Sequence, residues 1–142
     1  MAYRDKPLLI VDDTAANVEL MLDLLEDEGF THVEGITDPR KVLSFCEAGL
    51  PSLILLDIRM PHLDGYAVIK QLQERFSGQV PPIIILTAQV DDATRQRALS
   101  MGVRDFITKP FKHDEVLQRV QNALEVESRY QVRSQQAAVL ER

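Results

Sequence analysis

The sequence predicts an α/β domain in which a doubly wound parallel sheet of five strands carries helices on both faces. Two observations point there. The runs Leu8-Leu9-Ile10-Val11, Leu53-Ile54-Leu55-Leu56 and Ile83-Ile84-Ile85-Leu86 are apolar without interruption, whereas a sheet with one wet face would alternate apolar and polar residues. Amphipathic stretches then alternate with these strands and with two weaker ones, His32 to Ile36 and Val103 to Thr108, and strand–helix alternation is the pattern of parallel sheets.

Each helix has its own signal. Val18, Met21, Leu22 and Leu25 repeat at i, i+3, i+4, i+7, and Ile69, Leu72 and Phe76 at i, i+3, i+7, so each stretch buries one face. Asp38-Pro39 opens a second helix, with Asp as cap and Pro in the first turn, and Val42, Leu43, Phe45 and Cys46 form its apolar side before Gly49 stops it. A fourth helix covers roughly Asp92 to Met101 and ends at Gly102, and a fifth opens near Lys112 and carries Val116, Val120 and Leu124.

A length of 142 residues is one domain's worth, at about 100–200 residues per domain. A net charge of −6 is the wrong sign for gripping nucleic-acid phosphates. No apolar run approaches the roughly 18 residues of a membrane span, and the N-terminus shows no signal-peptide pattern, so a cytoplasmic setting is expected. A single cysteine, Cys46, excludes an internal disulfide and reads as a small buried hydrophobe.

Open α/β sheets bind ligands beyond the carboxyl ends of their strands. Those positions hold Asp12-Asp13, Asp57, Thr87-Ala88 and Thr108-Lys109-Pro110. Taken singly, an Asp there serves equally well as a helix cap, Lys109 as a solvated lysine and Thr87 as a strand former. Held together, three carboxylates repel one another unless a cation sits among them, and hard oxygen ligands suit Mg²⁺. Asp57 ends the most hydrophobic central strand, where a carboxylate can attack phosphorus and become an aspartyl phosphate. Mg²⁺, the Lys109 ammonium and the Thr87 hydroxyl would neutralise the transferring group.

Rival chemistries fit less well. An aspartate-nucleophile phosphohydrolase would place Asp-x-Asp after the first strand, where Asp12-Asp13-Thr14 stands. A nucleotide-binding sheet needs a glycine-rich loop there, and Asp13-Thr14-Ala15-Ala16-Asn17 has no glycine. His32, His62 and His113 lack zinc-site spacing, and Cys46 has no evident base partner.

The motifs Val11-Asp12-Asp13, Leu56-Asp57-Ile58-Arg59-Met60-Pro61 with Asp64-Gly65, Leu86-Thr87-Ala88 and Lys109-Pro110-Phe111, in this order and at strand ends, resemble the receiver domains of two-component response regulators over residues 6–125. The resemblance implies a flavodoxin-like strand order 2-1-3-4-5 and a phosphoacceptor switch rather than a turnover enzyme. Asp57 would accept a phosphoryl group from a histidine kinase or phosphotransfer protein docked around the first helix. Mg²⁺ would be held by Asp13, Asp57 and the main-chain carbonyl of Arg59, with Asp12 acting largely through water. Lys109 would pair with the phosphoryl oxygens, Thr87 would swing in to hydrogen-bond one of them, and the Lys109-Pro110 bond would be cis. Gly65 would serve a close turn.

The added charge of the phosphoryl group would draw Thr87 inward, and the aromatic residue of strand five, here Phe106, would change rotamer. Arg59 and Gln89 stand where side chains hang over the phosphoryl group in the family and tune attack by water. The face of helix four, strand five and helix five is where the family often self-associates, making a homodimer a further expected partner. Within the family, the alternative is a degenerate receiver that only docks partners.

Residues 1–125 are expected to form the receiver and 126–142 a helical linker to an output domain. The tail has no Gly or Pro, and a seam at Val116, Val120, Ala123, Glu127, Tyr130, Ser134, Ala137 and Glu141 is half polar in its later part, so both a coiled coil and a solvated helix remain open. The chain has no helix stop signal at Ala138-Val139-Leu140-Glu141-Arg142, which suggests a longer parent protein. The stretch from Asp105 to Phe111 and the helix after it are similar to receivers joined to HD-GYP cyclic-di-GMP phosphodiesterases.

Overall fold

In a computed structural model, which describes residues 2–88 and 91–125, five strands form one parallel sheet. They are β1 (Leu8–Val11), β2 (Val33–Ile36), β3 (Leu53–Asp57), β4 (Ile83–Thr87) and β5 (Asp105–Thr108), in the order β2-β1-β3-β4-β5. Helices α1 (Ala15–Asp27), α2 (Val42–Ala48), α3 (Gly65–Arg75), α4 (Asp92–Ser100) and α5 (113–125) connect or follow them. The order reverses beside β1, the position where open sheets form a ligand crevice.

Alternation along each strand sorts the core into two layers. Leu8, Ile10, Leu53, Leu55, Ile84, Leu86 and Ile107 face Val18, Met21 and Leu25 of α1 and Val116, Val120 and Leu124 of α5. Leu9, Val11, Ile54, Leu56, Ile83, Ile85 and Phe106 face α2, α3 and α4. Because β1, β3 and β4 are covered on both sides, they read as continuous apolar runs. The outer strand β2 is not: its Glu34 and Gly35 are exposed, which is why its sequence signal was weaker.

Several local features differ from the sequence reading. Leu24 joins the buried face of α1, while Leu22 is only partly buried. The start at Asp38-Pro39 is a 3₁₀ turn over Pro39–Lys41 that leads into α2, with the Asp38 carboxylate accepting from the Arg40 backbone N–H. Gly49 follows α2 with extended backbone at φ 171°, so no left-handed glycine conformation ends this helix, in contrast to Gly102 after α4 at φ 86°.

Gly65 serves close packing rather than a turn: it opens α3, and a Cβ there would lie 2.6 Å from the Asp57 carbonyl oxygen and 2.9 Å from Ile58 Cα. A 3₁₀ turn over Ala2–Asp5, without a sequence signal, packs the Tyr3 ring 5.9 Å from Phe30. Among the described residues no helix is long and apolar enough to cross a membrane.

A candidate phosphoacceptor site at the strand ends

The parallel registers set Val11 beside Leu56 and Asp57 beside Leu86, so the residues just past these positions emerge at one edge. There Asp12, Asp13 and Asp57 each bring a carboxylate oxygen within 4.8 Å of the other two. Asp12 is fully buried, Asp57 is 4% exposed, and Asp13 is open to solvent. Neither member of the Asp pair caps α1; Thr14 holds that position. Asp12 instead accepts from the Thr14 backbone N–H at 2.9 Å and from the Asn17 side-chain amide at 3.3 Å.

Lys109, just beyond β5, extends its ammonium between two of these carboxylates, 3.0 Å from Asp12 and 3.3 Å from Asp57. Its backbone N–H donates to the Thr87 carbonyl at 2.8 Å, which ties the lysine to the end of β4, and the Lys109-Pro110 peptide is cis. The second oxygen of Asp57 accepts from the Arg59 backbone N–H at 3.2 Å. Thr87 is buried at the end of β4, and it lines one cleft with Asp13, Thr14, Asp57, Arg59, Ala88 and Lys109.

The electrostatics are unbalanced. Burial, then the neighbouring Asp12 charge, push Asp57 up to about 6, against relief from Lys109. Burial alone would lower the Lys109 pKa, but its contacts with Asp12 and Asp57 outweigh that and hold it above the ordinary lysine value. Three carboxylates thus face one ammonium. The all-oxygen donor set and the missing positive charge both fit a hard divalent cation.

The structure therefore brings together Asp12, Asp13, Asp57, Arg59, Thr87 and Lys109. Phe106 lies on β5, paired with Ile85 one layer below Thr87, and is 8% exposed. Gln89 and residues 126–142, with the tuning role and the linker expected there, lie outside the described residues. Sequence reasoning missed Asn17, whose amide steadies Asp12, and the two arginines of α4, Arg95 and Arg97, whose guanidinium carbons sit 5.3 Å from the Phe106 ring centroid and 3.9 Å from that of Tyr66. Only the Asn17 contact, five residues from its partner, is local enough to have been guessed.

A doubly wound sheet with an acidic, lysine-bearing crevice at its strand ends defines a class of open α/β proteins whose site lies at the topological switch point. Within that class, the family model for the response regulator receiver domain matches residues 8–121, and the chain belongs to that family. It is 36% identical over 135 residues to the cyclic di-GMP phosphodiesterase response regulator RpfG of Xanthomonas campestris, covering 94% of this chain and 36% of that protein. It is 38% identical over 113 residues to the transcriptional regulatory protein DltR of Streptococcus agalactiae, covering 80% of this chain and 49% of that one. The chain thus spans about a third to a half of these relatives. Among solved structures, the receiver domain of the sensor histidine kinase PA1611 from Pseudomonas aeruginosa, determined with a magnesium ion in its active-site cleft, superposes with a TM-score of 0.75 at 29% identity, covering 85% of this chain and 98% of that one. The chain is a receiver domain of a two-component response regulator.

Proposed function

We propose that Asp57 is the phosphoacceptor of this receiver and takes its phosphoryl group from a histidine kinase or phosphotransfer protein. The observation that carries the reading is the Lys109 ammonium held between buried Asp12 and Asp57 at the strand-end crevice. With a pKa of about 6, Asp57 is largely ionised at neutral pH and ready to attack. An Asp57 carboxylate oxygen forms a bond to phosphorus while the bond from phosphorus to the donor imidazole nitrogen breaks, and the nitrogen keeps the electron pair. Asp13, Asp57 and the Arg59 main-chain carbonyl would hold Mg²⁺, with Asp12 acting through water. When bound, that ion supplies the positive charge needed by carboxylates and phosphoryl oxygens crowded together.

Lys109 then exchanges its Asp57 contact for a phosphoryl oxygen, and the Thr87 hydroxyl donates to another. Thr87 moves inward as it does so, and Phe106 turns into the space behind it. Arg59, exposed at the mouth of the cleft, shields the phosphoryl group from water. The receiver regulates rather than turns over a substrate. Its α4–β5–α5 face, through a connector over 126–142, controls an attached output domain or a partner protein, with self-association of that face as one route.

The test is exposure of the chain to acetyl phosphate with Mg²⁺ followed by intact mass. Wild type is expected to gain one phosphoryl group only when Mg²⁺ is present, and Asp57→Asn to gain none. No gain in wild type, with this donor or with a competent kinase, would overturn the reading.

A further inference from the structure

The two buried carboxylates of the crevice are hydrogen-bonded differently. Asp57 takes one donor on each oxygen, the Arg59 backbone N–H on Oδ1 and the Lys109 ammonium on Oδ2. Asp12 takes three donors among the described residues: the Thr14 backbone N–H on Oδ1 at 2.9 Å, and on Oδ2 both the Asn17 side-chain amide at 3.3 Å and the Lys109 ammonium at 3.0 Å. A carboxylate oxygen offers about two lone-pair directions, so the oxygen of Asp12 that faces Lys109 is filled. Its other oxygen is held by the start of α1, and with both sides pinned the carboxylate plane is fixed. Because Asp12 is fully buried, bulk water cannot replace a donor that is lost. The Asn17 amide is itself well placed: its backbone N–H donates to the Thr14 carbonyl at 3.0 Å, so the first turn of α1 sets where the side chain starts.

We propose that Asn17 is a positioning residue that reserves Asp12 for Lys109, keeps Asp12 from ligating the cation directly, and thereby sets the preference of the site for Mg²⁺ over Ca²⁺. This rests on the reading in which Asp13, Asp57 and the Arg59 main-chain carbonyl hold the ion. The argument is one of supply. Asp57 keeps a free lone-pair direction on each oxygen, whereas Asp12 reaches a cation with its Lys109-facing oxygen only by giving up a donor. Removing the Asn17 amide opens a direction on that oxygen and unpins one side of the carboxylate, so a third carboxylate becomes available. Mg²⁺ is small, holds its waters and demands a near-octahedral shell, and gains little from an extra carboxylate. Ca²⁺ accepts more oxygen ligands in a looser shell and gains more. The amide thus acts through Asp12, without touching the ion or the phosphoryl group.

The experiment titrates Mg²⁺ and Ca²⁺ separately into the full chain by calorimetry, for wild type, Asn17→Ala and Asn17→Leu. Asn17 is half-buried in the first turn of a helix, where alanine and leucine are both better helix formers, so both variants are expected to fold. Asn17→Leu keeps much of the side-chain volume and loses only the donor, which separates the hydrogen bond from packing. The ratio of Mg²⁺ affinity to Ca²⁺ affinity is expected to fall about 10-fold in both variants, the range in which partners of metal-site side chains act. A merely structural role would weaken both ions alike and leave the ratio unmoved. A wild-type ratio in either variant therefore overturns the inference. Absence of Mg²⁺ binding in wild type overturns the reading of the cation site and this inference with it, and the wild-type titration alone separates that case from the other.

Discussion

Helices α3 and α4 lie on the same face of the sheet, and each opens on an aspartate whose carboxylate accepts from a backbone N–H three residues on, Asp64 from Ala67 and Asp91 from Thr94. Beyond the caps they part company. α3 buries Gly65, Tyr66, Val68, Ile69 and Leu72, while α4 buries Ala98 alone and leans on arginine–ring contacts. The difference teaches two modes of attachment: the helix that follows the Asp57 loop is anchored by apolar burial and close backbone contact, and the helix after Thr87 by one buried alanine and arginine–ring contacts that are each individually weak.

The comparison breaks most visibly at Gly65. Gly65→Val forces side-chain atoms onto the backbone of Asp57 and Ile58, which cannot give as a flexible side chain would. A loss on the order of 3 kcal/mol or more is expected in urea unfolding; a near-neutral result would show that α3 does not clamp the strand that ends at Asp57. Next come paired truncations. Leu72→Ala, at a fully buried position of α3, should cost about 2–5 kcal/mol, whereas Leu99→Ala, half-exposed on α4, should stay within about 0.5 kcal/mol. Similar costs at both sites would erase the contrast.

Asp57 itself comes third. Asp57 titrates near 6 when folded against 3.8 ordinarily, so the folded state holds this proton more tightly than the unfolded chain. The penalty for ionising it in the folded state is therefore absent below about pH 4, stability falls as pH rises from about 4 to about 6, and the full penalty stands above that. Asp57→Asn is expected to stabilise the metal-free chain by about 1–3 kcal/mol at pH 7.5 and to converge with wild type in acid. Added Mg²⁺ should raise the wild-type Tm and narrow the gap; a gap indifferent to both pH and Mg²⁺ would contradict the crowded-carboxylate account. The smallest effect belongs to Arg97→Ala, which removes the stack on Tyr66 and should cost about 0.5–1 kcal/mol, read as faster hydrogen exchange within α4 before any change in global unfolding.

Much of this was legible in the sequence because local chemistry carried it. The apolar runs of β1, β3 and β4 announce strands covered on both faces, and their ends predict the positions of Asp12, Asp13, Asp57 and Thr87, while the weaker signal of β5 predicts that of Lys109. The signals failed where burial was partial, as at β2 with its exposed Glu34 and Gly35, and where a residue's role depends on a distant neighbour. Gly65 read as a turn because sequence cannot show that its missing side chain makes room for the Asp57 backbone.

The sequence by itself determined the strand–helix alternation, the two-sided sheet and the kind of residue at each strand end, since periodicity and residue type act over a few positions of chain. Only the tertiary structure decided that Lys109 sits between Asp12 and Asp57, that Asn17 steadies Asp12, and that α4 is tied down by Arg95 and Arg97 on rings contributed by β5 and α3. Those contacts are set by which elements the sheet order brings together, and the free energy that places them belongs to the whole core rather than to any local stretch of chain.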